Sequence, residues 1–438
     1  MQISFFDGTK PYKITKPIRL IELFAGIGAQ AKALQRLGVP FEHYRICEFD
    51  KYVVQSYNAI HGTAFKPSDI TKIHAEDLAV VDTDKYCYVM TYSFPCQDLS
   101  VAGNQKGMQK GSGTRSGLLW EVERLLDEMN ERPQVLLMEN VPQVIAEANA
   151  KDFAMWVQKL ESLGYKNYWE CLNAKDFGVP QNRNRCFMVS ILGDYFYTFP
   201  KGFPLKERLK DRLEKDVDKK YYLKEDIIRS LEVHKQRHQE QGHGFGWKPT
   251  NGGGYTTTIK TESGYIPDSN FIIEPIILDD YNQRIRADQS TIGCITTNCG
   301  NEAPRNGWKV IESHPYELSD KMKKHINSYH DKYKVGKGNL VLNRDVSVSK
   351  TTREGCSRAD TSDYISPDLP SNHNIANIDC LNIRIRKLTP KECWRLMDFD
   401  DADIDKAKAS GVSDSQLYKQ AGNSIVVAVL EAIFKEML

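Results

Sequence analysis

Short, mostly apolar runs recur along the first third of the chain, and each leads into glycine or polar residues before a helical pattern begins. The runs cover residues 18–24, 44–47, 87–92 and 135–138. Apolar runs of this length predict buried strands, and strands that alternate with helices predict a parallel sheet. The pattern therefore predicts an α/β fold with a doubly wound, mostly parallel, Rossmann-like sheet that binds ligands at the carboxyl ends of its strands.

The composition changes near residue 196. Charge runs are followed by clusters of glycine and threonine at 251–258 and 290–297. A helix is predicted near 390–397, with Thr389 as its cap and Pro390 as its first residue. We expect a smaller, loop-rich, strand-containing domain at 196–411, and a larger domain at 1–195 that the C-terminal segment 412–438 completes.

Length and composition limit the class of protein. The chain has 438 residues, of which 40% are hydrophobic and 27% charged, with ten cysteines and a net charge of +1. No apolar run is long enough to cross a membrane and the N-terminus lacks signal-peptide features, so we expect no membrane partner and a place in the bacterial cytoplasm or nucleoid. The cysteines are expected to be reduced, and no metal site is predicted. A nucleic-acid partner would require a local basic patch.

Glycines follow the first strand directly. Gly26 and Gly28 allow a tight turn against a ligand at the start of the next helix, and Glu48 ends the second strand, where doubly wound folds bind a ribose hydroxyl. The third glycine of the dinucleotide fingerprint is missing. A simple strand-to-helix turn is therefore an equal alternative.

Cys96 stands where a predicted strand opens into a long loop. It follows Pro95, and a thiol at such a position is placed like a nucleophile. Because free cysteine is one of the most buried residue types, a packed core thiol is the alternative. The loop that follows is rich in glycine, which predicts a segment able to close over a ligand; its glycines are Gly103, Gly107, Gly111, Gly113 and Gly117.

Two arginines follow a later predicted turn. Strand alternation puts Arg183 and Arg185 on the same side of an extended segment, as a fork of donors suited to a phosphate or carboxylate. A solvated basic edge is an equally good interpretation. Glu139 ends another predicted strand and belongs to the same edge of the sheet.

Taken together and in order, these blocks resemble the cytosine-5 DNA methyltransferase family, of the bacterial or phage type that depends on S-adenosylmethionine. The resemblance covers both ends of the chain and leaves a variable middle. The matching blocks are Phe24-Ala25-Gly26-Ile27-Gly28, Glu48, Asp69-Ile70, Phe94-Pro95-Cys96-Gln97, Glu139-Asn140-Val141, Gln181-x-Arg183-x-Arg185, Arg386-x-Leu388-Thr389-Pro390-x-Glu392 and Gly422-Asn423-Ser424.

The resemblance implies roles by position. Cys96 is the nucleophile, and Glu139, Arg183 and Arg185 surround a flipped cytosine. The implied S-adenosylmethionine site comprises Phe24, Gly26, Gly28, Glu48, Phe49 against the adenine ring, Asp69, Ile70, Pro95, Leu118, Asn423 and Ser424. The implied substrate-binding residues are Gln97, Ser100, Gln181, Thr291 and Thr296. Target recognition falls at about 197–382, followed by a family-type block at 384–399.

The sequence departs from the family pattern at three places. Glu22 and Ala29 stand where aspartate and glycine are more frequent, and we expect an effect on cofactor affinity at most. The run Asp398-Phe399-Asp400 replaces a more frequent glycine-aromatic-proline ending. This change touches the hinge side of the small domain, so it bears on where that domain ends.

The resemblance implies a sequence-specific DNA (cytosine-5) methyltransferase that acts on double-stranded DNA as a monomer. Whether it is paired with a restriction endonuclease stays open. A tRNA cytosine-5 methyltransferase of the same family and a catalytically silent DNA-binding relative are the alternatives. The long insertion between Arg185 and Arg386 favours duplex DNA, and the intact Cys96 and Glu139 argue against a silent relative.

Overall fold

The computed structural model describes residues 10–95, 99, 108–111, 116–240, 249–261, 270–274, 276–279, 284–286, 308–311 and 384–438. The chain divides into two compact units. The first comprises Met1–Leu213, Gly254–Gly264 and Pro390–Leu438, and the second comprises Glu214–Gly253 and Tyr265–Thr389.

The strands and helices alternate through the first part of the chain. The strands are β1 (Lys10–Pro11), β2 (Ile18–Leu23), β3 (Phe41–Cys47), β4 (Cys87–Tyr92), β5 (Val135–Asn140), β6 (Tyr165–Asn173), β7 (Gln181–Asn182), β8 (Asn184–Leu192), β9 (Tyr195–Phe196), β10 (Thr256–Thr257), β11 (Phe271–Glu274), β12 (Ile276–Asp279), β13 (Arg284–Arg286), β14 (Trp308–Ile311) and β15 (Arg384–Lys387). The helices are α1 (Ala29–Arg36), α2 (Lys51–His61), α3 (Ala75–Leu78), α4 (Leu119–Glu128), α5 (Ala150–Ser162), α6 (Glu225–Glu240), α7 (Pro390–Arg395), α8 (Asp401–Ala409), α9 (Asp414–Asn423) and α10 (Val427–Lys435).

The first unit is built on a mixed, mostly parallel sheet. Within the described residues, six strands pair in the order β3-β2-β4-β5-β8-β6. The first four are parallel to one another, and β8 runs antiparallel to both β5 and β6. The predicted α/β sheet is confirmed.

The central strands are buried because helices cover both faces of the sheet. Every residue of β4 and β5 is buried. Trp156 of α5 is fully buried and donates its indole N–H to the Tyr92 hydroxyl at 3.1 Å, which satisfies the polar atoms of both side chains inside the core. The rigid core fixes the strand ends from which the site is built.

The C-terminal part of the first unit packs against α1 through ion pairs. Asp398 has a left-handed backbone, with φ of 66°, at the position where the family more often has glycine. Its carboxylate contacts Arg36 at 2.7 Å and Arg212 at 3.2 Å, and Asp400 contacts Arg36 at 2.7 Å and Lys32 at 2.6 Å. These pairs offset the backbone strain at Asp398.

The second unit contains short antiparallel strands in its described part. β11 pairs with β15, and β12 lies between β13 and β14. Arg386 on β15 is fully buried and pairs with Glu274, which also accepts a hydrogen bond from the Tyr222 hydroxyl at 2.6 Å. The sequence-predicted domain limits and the target-recognition limits stay predictions.

No helix in the described part of the chain is both long enough and apolar enough to cross a membrane.

Candidate active site

The turn after β2 has an unusual backbone. Phe24, Gly26 and Gly28 have φ values of 57°, 56° and 79°, in the left-handed region that favours glycine. Two amides hold the turn to the neighbouring strand, because Phe24 N and Ala25 N donate to the Cys47 carbonyl at 2.7 and 3.3 Å. A Cβ built on Gly26 meets nothing within 4 Å, so open space lies beside the backbone there.

Glu48 follows β3 and holds the same turn from the other side. One of its carboxylate oxygens accepts the Gly26 N–H and the other accepts the Asp50 N–H, both at 3.0 Å. Burial raises the pKa of Glu48, and the hydrogen bonds from backbone amides oppose that effect. Phe49, the next residue, leaves 76% of its surface exposed beside this carboxylate.

The loop that carries Asp69 and Ile70 is tied to the same edge. Ser68 N donates to the Glu48 carbonyl at 2.8 Å. Asp69 accepts the backbone and side-chain donors of Thr71 at 3.0 and 2.8 Å, and the backbone bond lowers the pKa of Asp69. Ile70 is buried. Four predicted cofactor residues on three loops therefore gather at one edge: Gly26, Glu48, Asp69 and Ile70.

The end of β4 is held by two side chains for which the sequence suggested no role. Asn140 at the end of β5 donates its side-chain N–H to the Phe94 carbonyl at 3.0 Å, and the Ser116 hydroxyl donates to the Pro95 carbonyl at 2.7 Å. Asn140 belongs to the same sequence block as Glu139. Its contact with the Phe94 carbonyl, however, depends on β4 lying beside β5, which the sequence alone did not give. Cys96, the next residue after Pro95, lies outside the described residues.

Glu139 and Arg185 form an ion pair at the same edge. Arg185 Nε lies 3.2 Å from a carboxylate oxygen of Glu139, and both side chains are largely buried. Burial raises the pKa of Glu139, while Arg185, Arg183 and the nearby Ser93 hydroxyl oppose that rise. Glu139 therefore holds a proton more readily than an exposed glutamate does, and it has a cation beside it.

Arg183 has different partners from Arg185. Its guanidinium donates to the backbone carbonyls of Ile259, Gly422 and Ser424 at 3.1, 3.0 and 2.7 Å. Ile259 belongs to a segment from the middle of the chain, Gly422 lies in the last turn of α9, and Ser424 follows that helix directly. Arg183 is thus buried among backbone acceptors, whereas Arg185 faces a carboxylate.

Gln181 makes similar contacts. Its side-chain N–H donates to the Leu396 carbonyl at 2.6 Å, and its side-chain oxygen accepts the Ile259 N–H at 3.0 Å. A Cβ on Gly422 would lie 2.3 Å from Thr261 N, so only glycine allows the segment to approach this closely. Gln181, Arg183 and Gly422 hold the same piece of backbone in place.

The family model for C-5 cytosine-specific DNA methylase matches residues 18–438. The chain belongs to this family. The resemblance found in the sequence is confirmed, and the protein is a DNA methyltransferase of the cytosine-5 class.

Relatives of known name align along nearly the whole methyltransferase. The type II methyltransferase M2.ScrFI of Lactococcus lactis subsp. cremoris is 30% identical, over 96% of this chain and 99% of its own length. The orphan methyltransferase M.SPRI of Bacillus phage SPR is also 30% identical, over 96% of this chain and 97% of its own.

Solved structures share the fold at lower identity. The S. pombe Dnmt2 methyltransferase is 16% identical with a TM-score of 0.57, and it covers 96% of this chain and 98% of its own. The Entamoeba histolytica methyltransferase EhMeth is 15% identical with a TM-score of 0.59, and the coverage is 97% of this chain and 98% of its own. At these identities the likeness shows the fold alone, and it confirms the predicted fold class.

The other residues predicted to bind the cofactor or the substrate differ in position and exposure. Leu118 ends the short turn before α4, Asn423 is exposed at the end of α9, and Ser424 is buried behind it. Among the described residues, no group of three or more histidine, cysteine or acidic side chains could hold a metal. Four predicted substrate residues lie outside the described residues: Gln97, Ser100, Thr291 and Thr296.

Proposed function

We propose that this methyltransferase transfers a methyl group from S-adenosylmethionine to C5 of a cytosine flipped out of double-stranded DNA, with Cys96 adding to C6. The observation that carries the proposal is the buried Glu139–Arg185 pair at the end of β5. It lies next to the end of β4, from which the chain continues through Pro95 to Cys96. Membership of the family supports the same reaction.

The turn at residues 24–28 supports the proposed cofactor. The open space beside Gly26 leaves room for a ligand against the backbone, and the Glu48 carboxylate stands where a ribose hydroxyl is bound in doubly wound folds. The exposed ring of Phe49 can stack on an adenine. S-adenosylmethionine bound there would supply an electrophilic methyl group.

Cytosine C5 is too weak a nucleophile to attack a methyl group unaided. When the Cys96 thiolate forms a bond to C6, an electron pair moves toward C5, which can then form the new bond to the methyl carbon while the methyl–sulfur bond of S-adenosylmethionine breaks and its electron pair stays on sulfur. The C5 proton leaves to solvent and the thiolate is eliminated from C6, which restores the ring and the enzyme. Cysteine suits this role because its thiol, with a pKa near 8.5, offers some thiolate at neutral pH.

Glu139 and Arg185 balance the charge that this addition creates. Negative charge develops toward N3 and O2 of the base. A protonated Glu139 can donate to N3, and burial favours that protonated form; Arg185 can donate to O2. Arg183, whose two terminal nitrogens bond backbone carbonyls, contributes at this site through the field of its charge on Glu139.

The cytosine must be flipped out of the duplex, because no enzyme group can reach C6 of a stacked base. We assign sequence reading to the target-recognition segment at about 197–382, which includes Thr291 and Thr296, and to Gln97 and Ser100. The proposed partner is double-stranded DNA, bound by a single chain in the bacterial cytoplasm or nucleoid. Gln181 is proposed to serve the substrate indirectly, through the backbone it holds.

The test uses S-adenosylmethionine with a labelled methyl group and either plasmid DNA or tRNA. We expect label in plasmid DNA with the wild type and none with Cys96→Ala. Label in tRNA alone would overturn the DNA proposal, and turnover by Cys96→Ala would overturn the mechanism. Bisulfite sequencing of the methylated plasmid then identifies the sequence that is read.

A further inference from the structure

A cluster of polar side chains lies behind the glycine turn, where β2, β3, α1 and α2 meet. It consists of Glu22, Gln35, His43, Tyr57 and His61, and we call it the polar cluster. Glu22 and Tyr57 are almost completely buried. Buried polar groups require hydrogen-bond partners, so the protons in the cluster can be assigned from the contacts.

Tyr57 determines the tautomer of His43. The Tyr57 hydroxyl donates its only proton to a carboxylate oxygen of Glu22 at 2.5 Å. His43 Nδ1 lies 3.1 Å from the same hydroxyl oxygen, so while Glu22 is ionised Nδ1 is the donor in that contact. Nε2 of His43 is then an acceptor.

The Ile27 carbonyl determines the tautomer of His61. His61 Nε2 lies 3.1 Å from the carbonyl oxygen of Ile27, and a carbonyl can only accept. Nε2 must carry the proton, which leaves Nδ1 as an acceptor. His61 thus donates to the turn that contains Gly28.

Gln35 fits both assignments. Its side-chain nitrogen lies 3.5 Å from His43 Nε2 and 3.4 Å from His61 Nδ1, so its two amide protons face the two ring nitrogens that accept. Burial lowers the pKa of His43, and it lowers the pKa of His61 to about 3, so both rings are neutral at pH 7. One arrangement of protons satisfies all of these contacts.

The cluster also touches the turn by direct packing. A Cβ on Gly28 would lie 2.3 Å from His61 Nε2 and 2.7 Å from a ring carbon of Tyr57. The two rings therefore occupy the space that a side chain at position 28 would need. The turn is held on one side by Glu48 and on the other by α2.

We propose that Tyr57 and His61 are positioning residues for binding of the methyl donor, because they hold the Ile27 carbonyl and the Gly28 backbone in the shape the cofactor requires. The inference rests on the proposed function, since it assumes that S-adenosylmethionine binds at this turn. Neither side chain need touch the cofactor. They act through the backbone.

The first test measures S-adenosylmethionine binding to the full chain by calorimetry. His61→Ala should bind about tenfold more weakly, the ratio expected for one lost hydrogen bond. His61→Gln, which keeps an amide donor, should recover most of the affinity. His74→Ala is the matched control, because His74 is an exposed histidine that contacts Glu128 instead of the turn. Turnover at saturating cofactor should stay within about twofold of wild type, as expected when only ground-state binding is lost.

The second test reads the protons themselves. Nitrogen-15 NMR of labelled histidine, with Glu22 ionised, should find His43 protonated on Nδ1 and His61 on Nε2, and Tyr57→Phe should perturb the His43 signal. Tyr57→Leu, which removes the ring packed against Gly28, should weaken cofactor binding. Equal affinity in wild type, His61→Ala and Tyr57→Leu, or the opposite tautomers, would overturn the inference and leave the proposed function intact. A wild type that binds no S-adenosylmethionine would instead overturn the proposed function.

Discussion

Arg183 and Arg185 stand two residues apart in one block, yet the structure predicts opposite consequences for their loss. Arg183→Met removes three hydrogen bonds from a buried guanidinium to backbone carbonyls. Each such bond to a charged group contributes about 1.5–3 kcal/mol, and their effects are not additive. We expect a loss of about 4 kcal/mol in unfolding free energy, equivalent to roughly 10 °C in the thermal midpoint.

Arg185→Met removes one ion pair and one hydrogen bond to the Asn184 carbonyl, and it leaves Glu139 in a buried site. Because burial already raises the pKa of Glu139, this carboxyl can take up a proton and avoid remaining as an unpaired charge. The loss in unfolding free energy should therefore be about 1 kcal/mol. Turnover should fall by about 10² to 10³, as when a donor to a developing anion is removed.

The assay pairs thermal unfolding with methyl transfer measured well below each midpoint. Arg132→Met is a suitable control, since Arg132, on the loop before β5, donates to one backbone carbonyl, that of Leu126 in α4. A normal midpoint combined with lost turnover in Arg183→Met would refute the structural role of Arg183. A large fall in midpoint with normal turnover in Arg185→Met would refute the role of Arg185.

Three further predictions concern other side chains of the first unit. Burial raises the pKa of Glu22 from 4.5 to about 7, so the folded state holds this proton more tightly than the unfolded state does. As pH rises from 4.5 to 7, the unfolding free energy of the wild type should therefore fall by on the order of 3 kcal/mol relative to that of Glu22→Gln. Outside that pH range, the difference between the unfolding free energies from their denaturation curves should be constant. Asn140→Asp cannot donate to the Phe94 carbonyl, so turnover should fall by about 100-fold while calorimetry gives unchanged cofactor affinity. Arg36→Met leaves Asp398 without its nearer cation and should lower stability by about 1–2 kcal/mol, with a smaller difference at high salt.

The strand ends were predictable from the sequence because they depend on local pattern. Apolar runs followed by Glu48 and Glu139 predict strands that end in functional side chains, and parallel strands bring those ends to one edge. The observed contacts of Glu48 with the glycine turn agree with this. For these residues, the hydrophobic pattern and the strand order are sufficient to predict which edge of the sheet they occupy.

The partners of Arg183 could not be predicted in the same way. The alternation of side chains along an extended segment predicts on which side of the strand Arg183 lies. It does not predict which part of the chain packs against that side. The acceptors of Arg183 come from residues 259 and 422–424, far along the sequence, and their approach requires Gly422. Long-range backbone contacts of this kind leave no local signal.

The departures from the family pattern acquire a meaning only from the structure. Asp398 keeps the left-handed backbone of the glycine it replaces, and its carboxylate contacts two arginines that no spacing rule connects to it. Glu22 is longer than the more frequent aspartate, and its carboxylate accepts the hydroxyl proton of Tyr57 on α2. Both changes are matched by partners on other elements.

The direction of one strand accounts for the meeting of Glu139 and Arg185. β5 ends at the edge of the sheet where β2, β3 and β4 also end, and β8 pairs with it in the opposite direction, with Asn140 opposite Cys186. β8 therefore begins where β5 ends, and Arg185 near its start reaches the carboxylate at 3.2 Å. A parallel strand in the same place would begin at the far edge and carry this arginine away from Glu139. The single reversal in a mostly parallel sheet is thus what puts a cation beside the buried acid of the proposed site.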